Sequence, residues 1–262
     1  MQFNRIRAIS LDLDDTLWPF RPCLVRAEAA LLAWLQAHAP GTRSVLSDPT
    51  TLMAYRARAH ERHPELRADL SGLRRASIRA LLEDCREDPA LAEAAFEVFF
   101  AERQRVELFP EVAQALTALS ERLPLVALTN GNACIHKAGV GHFFKGAISA
   151  AELGVAKPEP QAFHAAAALA GVHPSEVLHV GDDWHLDVAG AVAAGAQAAW
   201  VVRSPQALGI AAGAAHGFGP PAGLDAVDTG AVPHLRVNDL QELFDQLSAG
   251  MASSRPAQRS TV

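Results

Sequence analysis

The stretch "ISLDLDDTLW", residues 9–18, sets three acids at the end of an apolar run. Ile9, Leu11 and Leu13 read as a short strand entering a core. Carboxylates at its end are costly to bury unless a partner or an ion compensates them. Asp12 and Asp14 are two residues apart, so in extended backbone both side chains point the same way. Two adjacent carboxylates repel, and one stays protonated unless a cation intervenes. Helix N-capping explains Asp15, but not an acid that closes a buried strand, such as Asp12.

Outward from this stretch, apolar runs rich in β-branched residues predict strands over 7–13, 125–129, 147–150, 177–180 and 198–202. Helical stretches are expected over 110–122, 133–140, 160–170 and 183–194, the last ending at Gly195. Alternation of this kind predicts an α/β fold, a doubly wound parallel sheet covered on both faces, with right-handed crossovers. Between Trp18 and Phe109 no strand is evident. Leu24, Leu31 and Leu35 form one helical stripe, Ile78, Leu81, Leu82 and Cys85 a second, and Leu91, Ala95, Val98 and Phe99 a third. Residues 18–108 are therefore expected as an inserted α-helical cap, and 1–17 with 109–248 as the discontinuous core. The Ala/Gly/Pro-rich segment 204–233 reads as a long loop, residues 240–247 as a final helix, and 249–262 as a disordered tail.

Composition bounds the function. The 262 residues carry 23 Lys+Arg against 29 Asp+Glu, a net charge of −6. That balance argues against nucleic acid, which needs a basic face. The longest apolar run, 188–202, is too short for a bilayer core of about 30 Å, so no membrane partner is expected. Cys23, Cys85 and Cys134 are scattered and form no CxxC. A cytoplasmic protein with reduced thiols is expected, acting as a monomer or homodimer.

In an open parallel sheet, ligands bind beyond the carboxyl ends of the strands. Asp12 and Asp14 close the first strand, Thr129 and Asn130 the second, and Asp182 and Asp183 the fourth, with Asp187 one helical turn on. Lys157 follows the third strand. An all-oxygen set of Asp12, Asp14 and either Asp182 or Asp183 suits Mg²⁺. An EF-hand reading fails, because Leu17 and Cys23 stand where its Gly and Glu would be. Hydroxyl, amides and Lys beside such an ion make a cradle for a phosphoryl group. No GxxxxGK[ST] is present, and Gly139-Val140-Gly141 follows no strand, so neither nucleotide fingerprint applies. His60 and His63 lack a third metal ligand and read as surface residues, and His179 reads as a packed core histidine. The cap arginines Arg56, Arg58, Arg62, Arg67, Arg74, Arg75 and Arg79 read mostly as solvated helix faces.

These residues resemble the haloacid dehalogenase-like hydrolase superfamily. Its DxDxT motif stands as Asp12-Leu13-Asp14-Asp15-Thr16, its second as Leu128-Thr129-Asn130-Gly131, its third as Lys157-Pro158 and its fourth as Gly181-Asp182-Asp183 with Asp187. The chain is most similar to the superfamily's bacterial flavin mononucleotide (FMN) hydrolases, which also serve as phosphatases for the phosphorylated ribitylamino-uracil intermediate of riboflavin synthesis. That likeness rests on "LDLDDTLW" (11–18), "PLVALTNGNA" (124–133), "EVLHVGDDWHLDVAGA" (176–191) and "PHL" (233–235).

The resemblance implies that Asp12 attacks phosphorus and that Asp14 is the general acid and base. Mg²⁺ would sit on Asp12, Asp182 and the Asp14 carbonyl. Thr129, Asn130 and Lys157 would hold the phosphoryl oxygens, with Asp183 and Asp187 behind the metal and Asp187 steering Lys157. An acid at position 14 favours phosphatase or phosphomutase over dehalogenase. The expected substrate is a small phosphorylated metabolite. A broad sugar or nucleotide phosphatase and a phosphomutase are the alternatives. Trp18, Phe20 and Arg21 are expected to border the leaving-group pocket.

Overall fold

The computed structural model describes residues 1–209, 232 and 234–253. Six parallel strands form one sheet: β1 Ala8–Leu11, β2 Leu125–Thr129, β3 Gly146–Ser149, β4 Val177–Gly181, β5 Gln197–Val201 and β6 His234–Val237, ordered β3-β2-β1-β4-β5-β6. The alternation of side chains divides them between two cores. Ile9 and Leu11 face one side with Ala127, Val180 and Val201. Ala8 faces the other with Val126, Val177 and Trp200. This is the doubly wound, Rossmann-like α/β sheet expected.

Four helices lie between β1 and β2 before the core resumes: α1 Phe20–His38, α2 Thr51–Arg62, α3 Leu70–Asp84 and α4 Leu91–Arg103. They bury a cluster of their own, in which Leu31 and Leu35 meet Ile78, Leu81, Phe96 and Phe99. The chain leaves and re-enters the core at one place. The Phe109 N–H donates to the Leu17 carbonyl at 3.0 Å. Arg203, two residues past β5, ties this crossing down. Its Nη2 donates to the Thr16 carbonyl at 2.7 Å and its Nη1 to Glu111 Oε1 at 2.6 Å.

The remaining helices cover the sheet: α5 Val112–Ser120, the single turn α6 Ala150–Leu153, α7 Pro160–Ala170, α8 Gly190–Ala193 and α9 Leu240–Ser253. On one face α5 and α9 bring Leu116, Leu119, Leu243 and Leu247 into the core, and on the other α7 brings Phe163 and Ala166.

Three expectations are corrected. Residues 133–140 form no helix. The Gln104 side chain takes the backbone there, donating to the Asn132 carbonyl (3.1 Å) and accepting from the Cys134 N–H (2.7 Å). A single turn follows and ends at Gly139, whose φ of +80° is left-handed. Residues 183–194 are not one α-helix. A π-helical stretch, Trp184–Ala189, precedes α8, and the Val188 N–H reaches back to the Asp183 carbonyl at 3.3 Å. The last helix runs on to Ser253, past the expected boundary at 248. Gly250 allows this, because a Cβ there would stand 2.5 Å from the Phe3 ring. The rest of the expected tail, 254–262, and most of the expected 204–233 loop lie outside the described residues. Of that loop, residues 205–209 are a turn. Among the described residues no helix is long and apolar enough to cross a membrane.

Candidate active site

The carboxyl ends of β1, β2 and β4, with the loop before α7, converge on one cavity of 290 Å³. Asp12, Asp14, Thr129, Asn130, Lys157, Asp182, Asp183 and Asp187 all line it. The sequence scatters them over 176 positions, and the parallel sheet gathers them because every strand ends on the same edge.

Lys157 is the hub. Its ammonium donates to Asp12 Oδ1 and to Asp187 Oδ1, both at 2.6 Å. Burial opposes its charge, but the two carboxylates outweigh it and hold the pKa above the usual lysine value. Asp187 is fully engaged. Oδ1 also accepts from His179 Nε2 at 3.1 Å, and Oδ2 accepts from the Asp183 N–H at 3.0 Å. Burial would raise its pKa, but Lys157 and His179 overcome that and hold it well below the usual carboxylate range. Gly181 makes room for this arrangement, since a Cβ there would lie 2.2 Å from Asp187 Cγ. The π-helical turn carries Asp187 to the lysine, and Asp183 starts it, accepting from the His185 and Leu186 N–H groups at 2.8 Å each. Asp183 and Asp187 thus orient the machinery.

His179 is the core residue expected. It is fully buried, and desolvation lowers its pKa against the pull of Asp187. The neutral ring donates from Nε2 to Asp187 and accepts at Nδ1 from Ser10 Oγ at 2.8 Å. A histidine whose folded pKa lies below its unfolded value, about 6.5, contributes stability that is full above that value and lost as pH falls through the folded pKa. His179→Gln keeps a donor toward Asp187 without the titration. Its deficit in melting temperature against wild type should shrink as pH falls from about 7 to about 5. Thermal melts at both pH values test this, and a constant deficit would refute it.

Asp12 and Asp182 carry charge that Lys157, shared with Asp187, only partly neutralises. Burial pushes Asp12 up to about 7 despite Lys157. Asp182 is raised well above the carboxylate range, first by burial and then by Asp12 and Asp187, with one hydroxyl, Thr16 Oγ1 at 3.0 Å, to relieve it. Oxygens of Asp12, Asp182 and Asp187 lie within 4.8 Å of one another, a group that could hold a metal ion. Asp187 is committed to Lys157, His179 and the Asp183 N–H, which leaves Asp12 and Asp182 as the carboxylate donors. An all-oxygen pair with surplus negative charge fits a hard divalent cation.

Thr129 is buried and its Oγ1 accepts from the Gly131 N–H at 2.9 Å, leaving the hydroxyl proton free to donate. The Asn130 side chain is not available to a ligand. Its Nδ2 donates to the Lys157 carbonyl at 2.9 Å and its Oδ1 accepts from the Lys157 N–H at 2.7 Å. It clips the lysine loop to the end of β2. Asp15 sits in a turn, with φ +58° and a carboxylate accepting from the Phe20 N–H at the start of α1 at 2.8 Å. Burial is the largest influence on it and takes its pKa up to about 6.

The expectation that Trp18 and Arg21 border a substrate pocket is corrected. Trp18 is 0% exposed, and its indole Nε1 donates to Asp14 Oδ1 at 2.9 Å. Arg21 points outward and does not line the cavity. Phe20 does line it, with Leu24, Leu70 and Phe99 from the helical insertion. Two insertion arginines reach the cavity as well. Arg74 lies over the Phe99 ring at 4.1 Å and holds Glu28 at 3.4 Å. Burial, aided by Arg56, brings its pKa down to about 10. Arg103 donates to Asp14 Oδ2 at 2.5 Å. The sequence reading missed Arg103. No local signal marked it, since it is one arginine among many on the helices of the insertion.

Comparison with known proteins agrees with this geometry. A match to the haloacid dehalogenase-like hydrolase family spans residues 6–195. The chain is 36% identical over 202 residues to the 5-amino-6-(5-phospho-D-ribitylamino)uracil phosphatase YigB of Escherichia coli, covering 76% of this chain and 84% of that one. It is 37% identical over 174 residues to a phosphoserine phosphatase of Thermus thermophilus, covering 64% and 62%. Among solved structures, a 2-haloacid dehalogenase of Pseudomonas syringae superposes with a TM-score of 0.78 at 35% identity, covering 93% of this chain and 98% of that one. The chain belongs to the haloacid dehalogenase-like hydrolase family, and it is an enzyme of the phosphatase kind.

Proposed function

We propose that this enzyme is a Mg²⁺-dependent phosphatase. It hydrolyses a small phosphate monoester through an aspartyl-phosphate, and its substrate is the phosphorylated ribitylamino-uracil precursor of riboflavin or FMN. The observation that carries the reading is the pairing of Asp12 with Lys157 while Asp14 and Asp182 face the same cavity. Lys157 occupies Asp12 Oδ1, and among the described residues no donor reaches Oδ2. Oδ2 is therefore free to attack phosphorus. The ester bond breaks and Asp14 passes its proton to the departing oxygen. Asp14 then takes a proton from water, which attacks phosphorus and releases phosphate from Asp12. Lys157 and Thr129 hold the equatorial oxygens as charge shifts among them. Asp12, Asp182 and the Asp14 carbonyl would hold Mg²⁺, which supplies positive charge between the nucleophile and the phosphate dianion.

The helical insertion acts as the cap that closes over the ester and excludes water. Phe20 offers an aromatic surface for a planar leaving group, and Arg74, stacked on Phe99, offers donors for its carbonyl oxygens. The free thiols of Cys23, Cys85 and Cys134 suit a reducing, cytoplasmic setting. Halide displacement, the activity of the structural relative, is the second reading. A halide leaves without a proton, so the displacement step of that chemistry gives Asp14 no task as an acid.

The test is a release screen with Mg²⁺ and with EDTA over FMN, the ribitylamino-uracil phosphate, phosphoserine, sugar phosphates and 2-chloropropionate. The expected result is phosphate release that EDTA abolishes, fastest with the riboflavin-pathway esters, and no chloride. Chloride release, or phosphate release indifferent to EDTA, would refute the reading. Transfer to an added sugar phosphate, with no free phosphate formed, would make the enzyme a mutase.

A further inference from the structure

Arg103 is the last residue of α4 and 1% exposed. Among the described residues it is the arginine of the insertion that touches a reacting group. Its Nη2 lies 2.5 Å from Asp14 Oδ2, and Trp18 Nε1 lies 2.9 Å from Asp14 Oδ1. Each carboxylate oxygen thus accepts one N–H from a different direction, and the pair fixes the plane of the group. The third side is closed by backbone, since a Cβ on Gly131 would stand 2.8 Å from Asp14 Oδ2. Each oxygen keeps a further lone pair for proton transfer.

Stability does not account for Arg103. Its Nη1 is buried without a partner among the described residues, and its other neighbour is the Phe20 ring at 5.1 Å. A buried guanidinium with one nitrogen unpaired is costly, and an apolar side chain would pack there at lower cost. The arginine also sits just before the return crossing, where Phe109 meets Leu17. A shift of α4 would carry Nη2 away from Asp14.

We propose that Arg103 is a positioning residue through which the helical insertion, once seated, sets Asp14 in the orientation that delivers a proton to the leaving group. The inference rests on the phosphatase reading. As Asp12 Oδ2 bonds to phosphorus and the P–O ester bond breaks, the Asp14 proton passes to the ester oxygen, which departs as an alcohol. A p-nitrophenolate needs no such proton, whereas an alkoxide does.

The experiment compares p-nitrophenyl phosphate with glycerol 3-phosphate in Mg²⁺ for wild type, Arg103→Met, Arg103→Lys and Trp18→Phe. For Arg103→Met, kcat on the alkyl ester should fall on the order of 10²-fold, and on the aryl ester less than about threefold, the signature of lost general-acid catalysis. Arg103→Lys should recover part of the alkyl activity, and Trp18→Phe should repeat the bias more mildly. If Arg103→Met does not fold, the other two variants are read by the same criterion. Equal losses on both esters, or a raised KM with kcat kept, would overturn the proposal, the latter by making Arg103 a phosphate ligand. A wild type that releases phosphate from neither of these esters nor from FMN overturns the phosphatase reading and takes this inference with it.

Discussion

Asp12→Asn lowers kcat for phosphate release on the order of 10⁴–10⁶-fold, the scale seen when a covalent nucleophile is removed. An amide oxygen is too weak a nucleophile to form the acyl phosphate, and no neighbour substitutes for it. Asp14 is held by Trp18 and Arg103 for proton transfer to the leaving group, and Asp187 is locked to Lys157 and His179. The fold should survive the change. Asn is nearly isosteric with Asp, Lys157 keeps Asp187, and removing the Asp12 charge relieves its repulsion with Asp182 and Asp187. Phosphate release measured beside a thermal melt separates the two effects. Activity within tenfold of wild type would remove Asp12 as the nucleophile.

Lys157→Met is the second large change, and it strikes stability as well as rate. Lys157 is the shared counter-charge of two buried carboxylates. Breaking a buried pair by deleting one partner typically costs about 3–5 kcal/mol, because the other charge is left uncompensated. Asp187 bears most of this. Its depressed pKa belongs to a carboxylate whose stability contribution is present above its unfolded value and lost in acid, and Lys157 is its strongest support. Removing a donor to the transferring phosphoryl group should also lower kcat by about 10²–10³-fold. Denaturant midpoints give the first number and phosphate release the second. Adding Asp187→Asn to Lys157→Met should restore part of the stability and none of the activity. A single variant destabilised by less than about 1 kcal/mol would show that the triad is not the buried ion pair network drawn here.

The chemistry was legible because it is local. An acid after a short apolar strand, a Thr-Asn-Gly turn after the next, and a Gly-Asp-Asp after a third are each odd in a soluble core, and each sits where a parallel sheet presents ligands. The Asp187 contact to Lys157 was implied by the family resemblance, and the structure shows it. Misreadings came where one residue type serves two masters. Trp18 ends an apolar run beside the acids, and nothing in its neighbours distinguishes a ring facing substrate from a ring buried under Asp14. Asn130 has donors suited to phosphate, but they meet the Lys157 backbone first. Residues 133–140 have helical composition, yet Gln104, some thirty positions earlier, holds the backbone where they begin, and Gly139 in the left-handed region stops the single turn that follows.

The sequence alone determined the sheet, the helical insertion between its first two strands, and the carboxylates and lysine on one edge. Strand period, helix period and the cost of burying charge are properties of neighbouring residues. Only the tertiary structure decided how the insertion meets the site. Arg103 lies 89 positions from Asp14, one arginine among many on amphipathic helices, and nothing in its local pattern marks it. Its role arises from the packing of α1 against α4 and from the crossing at Leu17 and Phe109, which bring the end of one element over the start of another.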